Sequence, residues 1–335
     1  MTLDASIAEY HFIQLDELFS KPLEIDWLIE DYLPSDSIGM LFGASGSGKS
    51  HIALSLAVSV ANGKEWFGHS VKQGNVLVMA GEGNNGLNRR LQSIQKQYGL
   101  EINQENIHFS ERAVGVDTDT GFKEMRDAIK ALEKKPSLII IDTLSRHLMQ
   151  SQENSNDDMA QFINRLEQIR HQYKCTIMLV HHTGKSNQQG ARGASALKAN
   201  IDFNFEVQRG EGRFCCLTCD KQKDADDDLK PKNFKIEPVD LDQKDSNGKT
   251  ITGACIVPTS ESVQIAMPSS NKYEQIALDT FDSDKAQWQK AFLKVSTDSA
   301  ADDSKKKRFR ETIKKLLDAR KVSENTDGLF TKLDS

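Results

Sequence analysis

The chain has 335 residues, of which 38% are hydrophobic and 27% charged, and its formal net charge is −6 at pH 7. This length predicts one large domain and a smaller one, with ample core. No uninterrupted apolar run reaches the length of a membrane span, and the opening MTLDASIAEY lacks a basic region followed by an apolar stretch. We therefore expect a soluble, cytoplasmic protein without membrane contact.

A lead-in over residues 1–36 precedes the first predicted strand. Its segment PLEIDWLIEDYLP carries apolar residues that are expected to pack on the core. Strands are then predicted over residues 37–42, 75–82, 106–110, 137–143 and 175–182, and helices over 50–63, 86–99, 120–135 and 157–173. This alternation is typical of βαβ units and predicts an α/β fold with a mainly parallel sheet. Ligands of such sheets bind beyond the carboxyl ends of the strands.

The segment GASGSGKS follows the first of these strands and precedes an apolar helix. Its spacing, Gly-x-x-x-x-Gly-Lys-Ser, is that of a phosphate-binding loop, in which glycines allow successive N–H groups to point at phosphates. Lys49 would neutralise the β and γ phosphates, and the Ser50 hydroxyl would bind Mg²⁺. The sequence thus predicts binding of a nucleoside triphosphate, ATP with Mg²⁺. The predicted cofactor-binding residues are Gly43, Ala44, Ser45, Gly46, Ser47, Gly48, Lys49, Ser50 and His51.

Two acidic residues end later strands of the alternating region. Asp142 closes the apolar run LIII and would hold Mg²⁺ through water, although a strand-end aspartate can also simply cap a loop. Glu82 follows the strand after the first helix and would orient or deprotonate the attacking water. The other reading of Glu82 is a loop acid with no partner.

Two histidines, His181 and His182, end the strand after that of Asp142. A polar residue here can touch the γ-phosphate and report its presence to the next loop, while a purely structural pair is the alternative. That loop, 183–200, is polar and mildly basic, and carries Lys185, Gln188 and Arg192. The loop would couple the presence of the γ-phosphate to the binding of a ligand by the loop. The alternative is a connector without a function of its own.

Four strands follow in quick succession, in IDFNFEVQR, RFCCLTCD, FKIEPVDL and GACIVP, with an Asn247-Gly248 hairpin turn before the last. We expect them to extend the sheet in antiparallel fashion and to complete a domain over residues 37–268. Cys216 and Cys219 would lie on opposite faces of their strand and could not share a zinc ion, so buried reduced thiols are expected.

The segment CDKQKD ends the second of these strands with two alternating lysines, Lys221 and Lys223. A cation that reaches the γ-phosphate of a neighbouring subunit would stabilise transition-state charge, as an arginine finger does. The alternative is a pair of surface lysines that protect a strand edge from aggregation.

A small basic domain is predicted over residues 269–335, after the polar link 267–272. Its segment KKKRFRETIKKLLDARK holds nine Lys/Arg against two acids, a candidate nucleic-acid contact or else a solvated helix face. Helix, Asp-Gly turn and strand fit a winged-helix layout.

The motifs GASGSGKS, MAGE, LIIIDTL, VHHTGK, ARGAS and CDKQKD occur in the order seen in RecA-like hexameric ATPases. Over about residues 22–268 the chain resembles the RepA-type replicative DNA helicases of plasmids and phages. The resemblance implies a RecA-like P-loop NTPase core and a homo-hexameric ring. Such a ring places ATP between subunits and moves along single-stranded DNA in the 5′→3′ direction.

The resemblance also assigns roles to residues. It implies phosphate and Mg²⁺ binding by Lys49 and Ser50, metal binding by Asp142, a catalytic carboxylate at Glu82 and a sensor at His182. The finger would be Lys221 or Lys223, where many RecA-like rings have arginine and RecA-type filaments have lysine. Contacts with single-stranded DNA fall to Lys185, Gln188 and Arg192. The basic tail is an addition that would dock on DNA or on a replication protein.

The expected function is therefore an ATP-dependent DNA helicase in the replication of a plasmid, phage or mobile element. One rival is a DNA-binding ATPase that does not unwind, such as a recombination mediator, a helicase loader or a defence-system ATPase. Others are a phosphotransferase that uses the same loop and an origin- or promoter-binding protein with an ATPase attached.

Overall fold

The computed structural model describes residues 12–20, 22–81, 84–183, 197–225, 228–261, 273, 276–295, 302–318, 322–324 and 329–332. The chain divides into two compact units, Met1–Ile265 and Ala266–Ser335, called unit 1 and unit 2 below.

The strands of unit 1 are β1 Trp27–Ile29, β2 Leu33–Pro34, β3 Ile38–Gly43, β4 Asn75–Ala80, β5 Ile107–Phe109, β6 Pro136–Asp142, β7 Thr176–His182, β8 Phe203–Arg209, β9 Phe214–Gln222, β10 Lys232–Lys244 and β11 Thr250–Pro258. Its helices are α1 Leu15–Phe19, α2 Lys49–Asn62, α3 Asn84–Tyr98, α4 Asp119–Lys130 and α5 Asn156–Tyr173. Unit 2 contains α6 Lys285–Val295, α7 Asp302–Asp318, β12 Val322–Glu324 and β13 Phe330–Lys332.

A nine-stranded sheet in the order β11-β10-β9-β8-β3-β7-β6-β4-β5 organises unit 1. The strands from β8 to β5 in this order pair in parallel. The remaining pairs, β8–β9, β9–β10 and β10–β11, are antiparallel. The predicted α/β class, a mainly parallel sheet with an antiparallel extension, is confirmed, and it is consistent with a RecA-like P-loop NTPase core.

The parallel strands are apolar on both faces because helices cover both faces. In β6, for example, Leu138 and Ile140 join the buried cluster that includes α2, and Ile139 and Ile141 join the cluster that includes α4 and α5. The expected packing of the lead-in is confirmed for the hairpin β1–β2, which adds residues such as Ile29 to the first cluster.

Three expectations differ from the structure. Strand β8 pairs in parallel with β3, so the antiparallel extension begins one strand later than predicted. Helix α4 ends at Lys130, not at residue 135. A proline at 136 disfavours helical geometry in the residue before it, and the Asn75 side chain binds the Lys134 carbonyl at 2.8 Å. The predicted loop 183–200 closes with a helical turn over 197–199, because Leu197 is buried in the core.

The five cysteines are free thiols; Cys175, Cys215, Cys216 and Cys255 are buried as expected, whereas Cys219 is only partly buried. Cys215 and Cys219 face the cluster that includes α2, and Cys216 lies on the other face of β9. Burial raises the pKa of Cys215 to about 12, which keeps this thiol protonated.

Unit 2 has a core of its own. Two helices, α6 and α7, and the antiparallel pair β12–β13 bury a group of apolar side chains together. Its largest fully buried members are Trp288, Phe292 and Phe309. The Asp327-Gly328 turn and the link 267–272 lie outside the described residues, and the winged-helix assignment and the domain limits 37–268 and 269–335 stay predictions.

Candidate nucleotide-binding site

Parallel register brings the ends of β3, β7, β6 and β4 together at one edge of the sheet. Gly43 of β3 is level with His182 of β7, while Asp142 of β6 is level with Val180 and Ala80. Backbone bonds join these ends: the Thr183 N–H donates to the Gly43 carbonyl at 3.0 Å, and the Gly81 N–H to the Asp142 carbonyl at 2.6 Å. Three residues of the predicted site, Gly43, Asp142 and His182, therefore end their strands at the same edge of the sheet.

The loop between β3 and α2 depends on its glycines. Gly43, Gly46 and Gly48 have φ of +151°, +74° and +107°, which side chains disfavour. A Cβ on Gly43 would lie 2.2 Å from the Val207 carbonyl oxygen of β8. A Cβ on Gly48 would lie 3.2 Å from Cys215 Sγ of β9. Strands β8 and β9 therefore lie in direct contact with the loop.

The Lys49 side chain is held inside this loop, with 3% of its surface exposed. Its ammonium donates to the carbonyl oxygens of Gly43, at 2.9 Å, and Ala44, at 2.8 Å. Burial lowers the pKa of Lys49 to about 8, and the Asp142 carboxylate opposes this change. Because Asp142 shares a strand face with Leu138 and Ile140 of the α2 cluster, it lies on the same side of the sheet as Lys49.

The loop fits the phosphates of a nucleotide. The first helical residues of α2 follow Gly48, which has no side chain to cap them, so their N–H groups can bind an anion. Within the described part of the chain, the fully buried Ser47 Oγ has no hydrogen-bond partner. Ala44, Ser45 and Gly46 are exposed at the loop tip.

Ser50 and Asp142 offer the oxygen ligands that Mg²⁺ prefers, with phosphate oxygens to complete the set. No cluster of three or more His, Cys, Asp or Glu side chains suited to a metal occurs among the described residues.

The two histidines at the end of β7 lie on opposite faces. His182 follows the face of Met178 and Val180, which belong to the α2 cluster, and is therefore on the side of the phosphate loop. His181 faces the other side, where its Nδ1 lies 2.8 Å from Glu153 Oε1. The position of His182 agrees with a sensor, whose role stays a prediction. Sequence reasoning missed Glu153.

Several predicted residues cannot be placed. Glu82, the proposed catalytic carboxylate, and Lys185, Gln188 and Arg192, the proposed DNA contacts, lie outside the described residues. Their roles stay predictions.

The predicted finger lysines lie away from the phosphate loop of their own chain. Strand β9 runs antiparallel to β8, so its end returns to the opposite edge of the sheet. Backbone bonds from Lys223 to Asp202 and from Asp202 to Ile38 place Lys223 level with the start of β3. That is five residues before Gly43, or about 16 Å along the strand. The structure therefore does not bring Lys223 to the loop within one chain.

The two lysines also differ in their contacts. The Lys221 ammonium donates to the carbonyl oxygens of Lys198, at 3.1 Å, and Ile201, at 2.5 Å. The Lys223 side chain is 62% exposed and has a longer contact, 3.4 Å, with Asp202 Oδ1. An exposed ion pair of this length is weak. Lys223 is therefore the more available of the two for another chain.

An arginine that the sequence analysis did not select also lies at the loop. Arg209 ends β8, and its guanidinium donates to the carbonyl oxygens of Gly46, at 3.4 Å, and Gly212, at 2.7 Å. The rule that found Asp142, a charge at the carboxyl end of a parallel strand, would have found Arg209. Sequence reasoning missed Arg209 because β8 was expected to be antiparallel.

His51, predicted to bind the cofactor, lies in the first turn of α2. Burial, together with the nearby positive charge of Arg90, lowers the pKa of His51 to about 4, although a hydrogen bond with the Ala254 backbone opposes the change. His51 is therefore neutral at physiological pH. Its contact with a nucleotide stays a prediction.

The fold and the site together define a class of protein. The site has a glycine-dependent loop between a parallel strand and a helix, a buried lysine inside that loop, and an aspartate on the next strand but one in the sheet. These features are typical of a P-loop nucleoside triphosphatase. The particular family follows from comparison with known proteins. A family model described as an AAA domain matches residues 5–188, more than half of the chain. The chain belongs to this family of P-loop ATPases.

The predicted ATPase class and nucleotide binding are confirmed at this level. The match begins within the segment predicted as a lead-in. None of the helices in the described residues combines the length and the apolar character that a membrane crossing requires.

Proposed function

We propose that this ATPase is a DNA helicase that works as a homo-hexameric ring on single-stranded DNA, in the replication of a plasmid, phage or mobile element. The observation that carries the proposal is the position of Lys223 at the sheet edge opposite the phosphate loop. A lysine there can complete a nucleotide site only in another copy of the chain. Head-to-tail contacts of this kind generate rings when they close.

Each copy would contribute two sets of residues to this shared site. Lys49 and the loop N–H groups bind the phosphates, Ser50 and Asp142 hold Mg²⁺, and Glu82 orients the attacking water. Lys223 of the adjacent copy stabilises the charge that develops at the γ-phosphate. Lys221 supports the segment 198–201 and thereby positions Lys223.

Strand β7 would connect the nucleotide site to the segment that binds DNA. His182 lies beside Gly43 in register and precedes the segment that carries Lys185, Gln188 and Arg192. Exchange and hydrolysis of ATP would move that segment, whose cations grip the phosphates of a single strand. Such contacts make binding salt-dependent and largely independent of sequence.

Mixing two inactive variants tests the shared site. Lys49→Ala lacks the loop lysine and Lys223→Ala lacks the finger, so we expect neither to hydrolyse ATP with single-stranded DNA present. In mixed rings about a quarter of the interfaces join an intact loop to an intact finger, so about a quarter of wild-type turnover should return. Lys230→Ala, which removes an exposed lysine between β9 and β10, serves as the control with normal turnover.

Three outcomes would overturn the proposal. They are no recovery in mixtures that co-assemble, full activity of Lys223→Ala alone, and a monomer that hydrolyses ATP at full speed without response to DNA. Strand displacement on a forked substrate distinguishes the helicase from its rival. ATP hydrolysis that DNA stimulates, without displacement, would favour a non-unwinding ATPase such as a recombination mediator or helicase loader.

A further inference from the structure

One face of helix α7 is buried in the core of unit 2. Phe309, Ile313 and Leu316 are buried, and Thr312 beside them is 5% exposed. They pack with residues of α6, β12 and β13, including Trp288 and Phe330. The orientation of α7 within unit 2 is therefore fixed by its apolar side chains.

The surface of α7 outside this buried face is basic and exposed. Its exposed cations are Lys306, Lys307, Arg310, Lys314 and Lys315. Three of them, Lys306, Arg310 and Lys314, follow at intervals of four residues and form one row about 12 Å long. Within the described residues, no member of this row forms a salt bridge, and Glu311 is the only acid between positions 304 and 317.

Such a row costs helix stability, because like charges four residues apart repel each other. A polyanion in contact with the row would remove this repulsion. The chemistry of the surface therefore fits a ligand with closely spaced negative charges, of which a nucleic-acid backbone is the most regular.

The aromatic side chains of unit 2 argue against a single strand as that ligand. Sites for single strands stack bases on exposed aromatic rings. In the described part of unit 2 no aromatic side chain is exposed: Trp288, Phe292, Phe309 and Phe330 are buried, and Tyr273 and Phe281 pack against the same core. A membrane surface is disfavoured as well, because the apolar face of α7 is occupied within the unit.

We infer that the exposed row Lys306–Arg310–Lys314 of α7 is a binding site for double-stranded DNA. A helix is about as wide as the major groove, and the row is about as long as the groove is wide. The cations contact backbone phosphates on either side, while the apolar face keeps α7 attached to unit 2. This site is separate from the single-strand contacts proposed for unit 1 and does not depend on them.

The test uses the full-length protein and a fluorescent blunt-ended duplex of arbitrary sequence. Lys306→Glu/Arg310→Glu reverses two charges of the row. Lys290→Glu/Lys294→Glu, a matched change on the exposed face of α6, is the control. We expect the first variant to bind the duplex at least about tenfold more weakly, with the slope of log K against log salt reduced by about two. The control should retain most of the affinity.

Two further measurements keep the result interpretable. Lys306→Gln/Arg310→Gln removes the charges without adding acids, and it should lower the salt slope by the same amount. Its tryptophan fluorescence, to which the buried Trp288 of unit 2 contributes, should equal that of the wild type. ATPase stimulation by single-stranded DNA should be unchanged in all variants. Because this second readout depends on unit 1, it separates a failure of the helicase proposal from a failure of this one.

Equal losses in both double variants would mean that total charge, and not this row, binds DNA, and would overturn the inference. Unchanged duplex binding in Lys306→Glu/Arg310→Glu would overturn it as well. An equal loss of affinity for a single strand of the same sequence would replace the duplex with a single-strand ligand.

Discussion

The parallel and the antiparallel parts of the central sheet place their charged residues differently. All parallel strands run in one direction, so Asp142, His182 and Arg209 reach the same edge as the phosphate loop. The antiparallel strands alternate in direction. Strand β9 therefore begins at that edge and ends at the opposite one, where Lys221 and Lys223 lie. One sheet thereby offers a nucleotide site at one edge and a pair of lysines at the opposite edge. This separation is what the proposed site, shared between copies of the chain, requires.

The largest effect is expected from the parallel part alone. Lys49→Ala removes the buried cation of the phosphate loop, and we expect ATP turnover to fall at least about a hundredfold, because transition-state charge loses its closest compensation. Steady-state phosphate release with single-stranded DNA is the measurement. Lys64→Ala, an exposed lysine just beyond α2, should behave as wild type. Turnover that survives in Lys49→Ala would contradict the assignment of this loop.

A smaller effect is expected where β8, the last of the parallel strands, lies against the phosphate loop. Gly43→Ala would place a Cβ 2.2 Å from the Val207 carbonyl oxygen, so β8 or the loop must move. We expect a loss of about 3 kcal/mol in unfolding free energy. Gly46→Ala is the matched control, because a Cβ there meets no atom within 4 Å. Its left-handed φ alone should cost about 1 kcal/mol.

Urea denaturation followed by circular dichroism compares these two variants. Equal losses would mean that backbone strain, and not contact with β8, sets the cost at Gly43. A larger loss for Gly43→Ala would confirm that the parallel strand β8 supports the loop from the side.

The smallest effect is expected at β8, the strand between the parallel and the antiparallel parts of the sheet. Arg209→Ala removes the guanidinium that contacts the Gly46 carbonyl, and we expect the affinity for ADP to fall about three- to tenfold while stability stays the same. Arg213→Ala, which removes an exposed arginine just before β9, is the control. Titration with a fluorescent ADP analogue measures both. A loss of affinity in Arg213→Ala of the same size would mean that general positive charge, and not the position of Arg209, attracts the nucleotide.

Much of the parallel part could be predicted from local sequence. The strand preceding GASGSGKS and the helix following it were expected at 37–42 and 50–63 and occur at Ile38–Gly43 and Lys49–Asn62. The antiparallel part was harder, because its strands follow one another without helices and their partners are not encoded locally. The parallel pairing of β8 with β3, and with it the place of Arg209, was missed for this reason.

The sequence by itself determined that this chain has a phosphate loop, strands that alternate with helices, and an acid at the end of a buried strand. These features depend on local properties, namely glycines that allow positive φ and the spacing of apolar residues. Only the tertiary structure decided which charged residues share an edge. Strand order depends on which apolar faces can be buried together, and residues distant in sequence settle that choice. Hence Arg209 lies beside the nucleotide site of its own chain, and Lys223 does not.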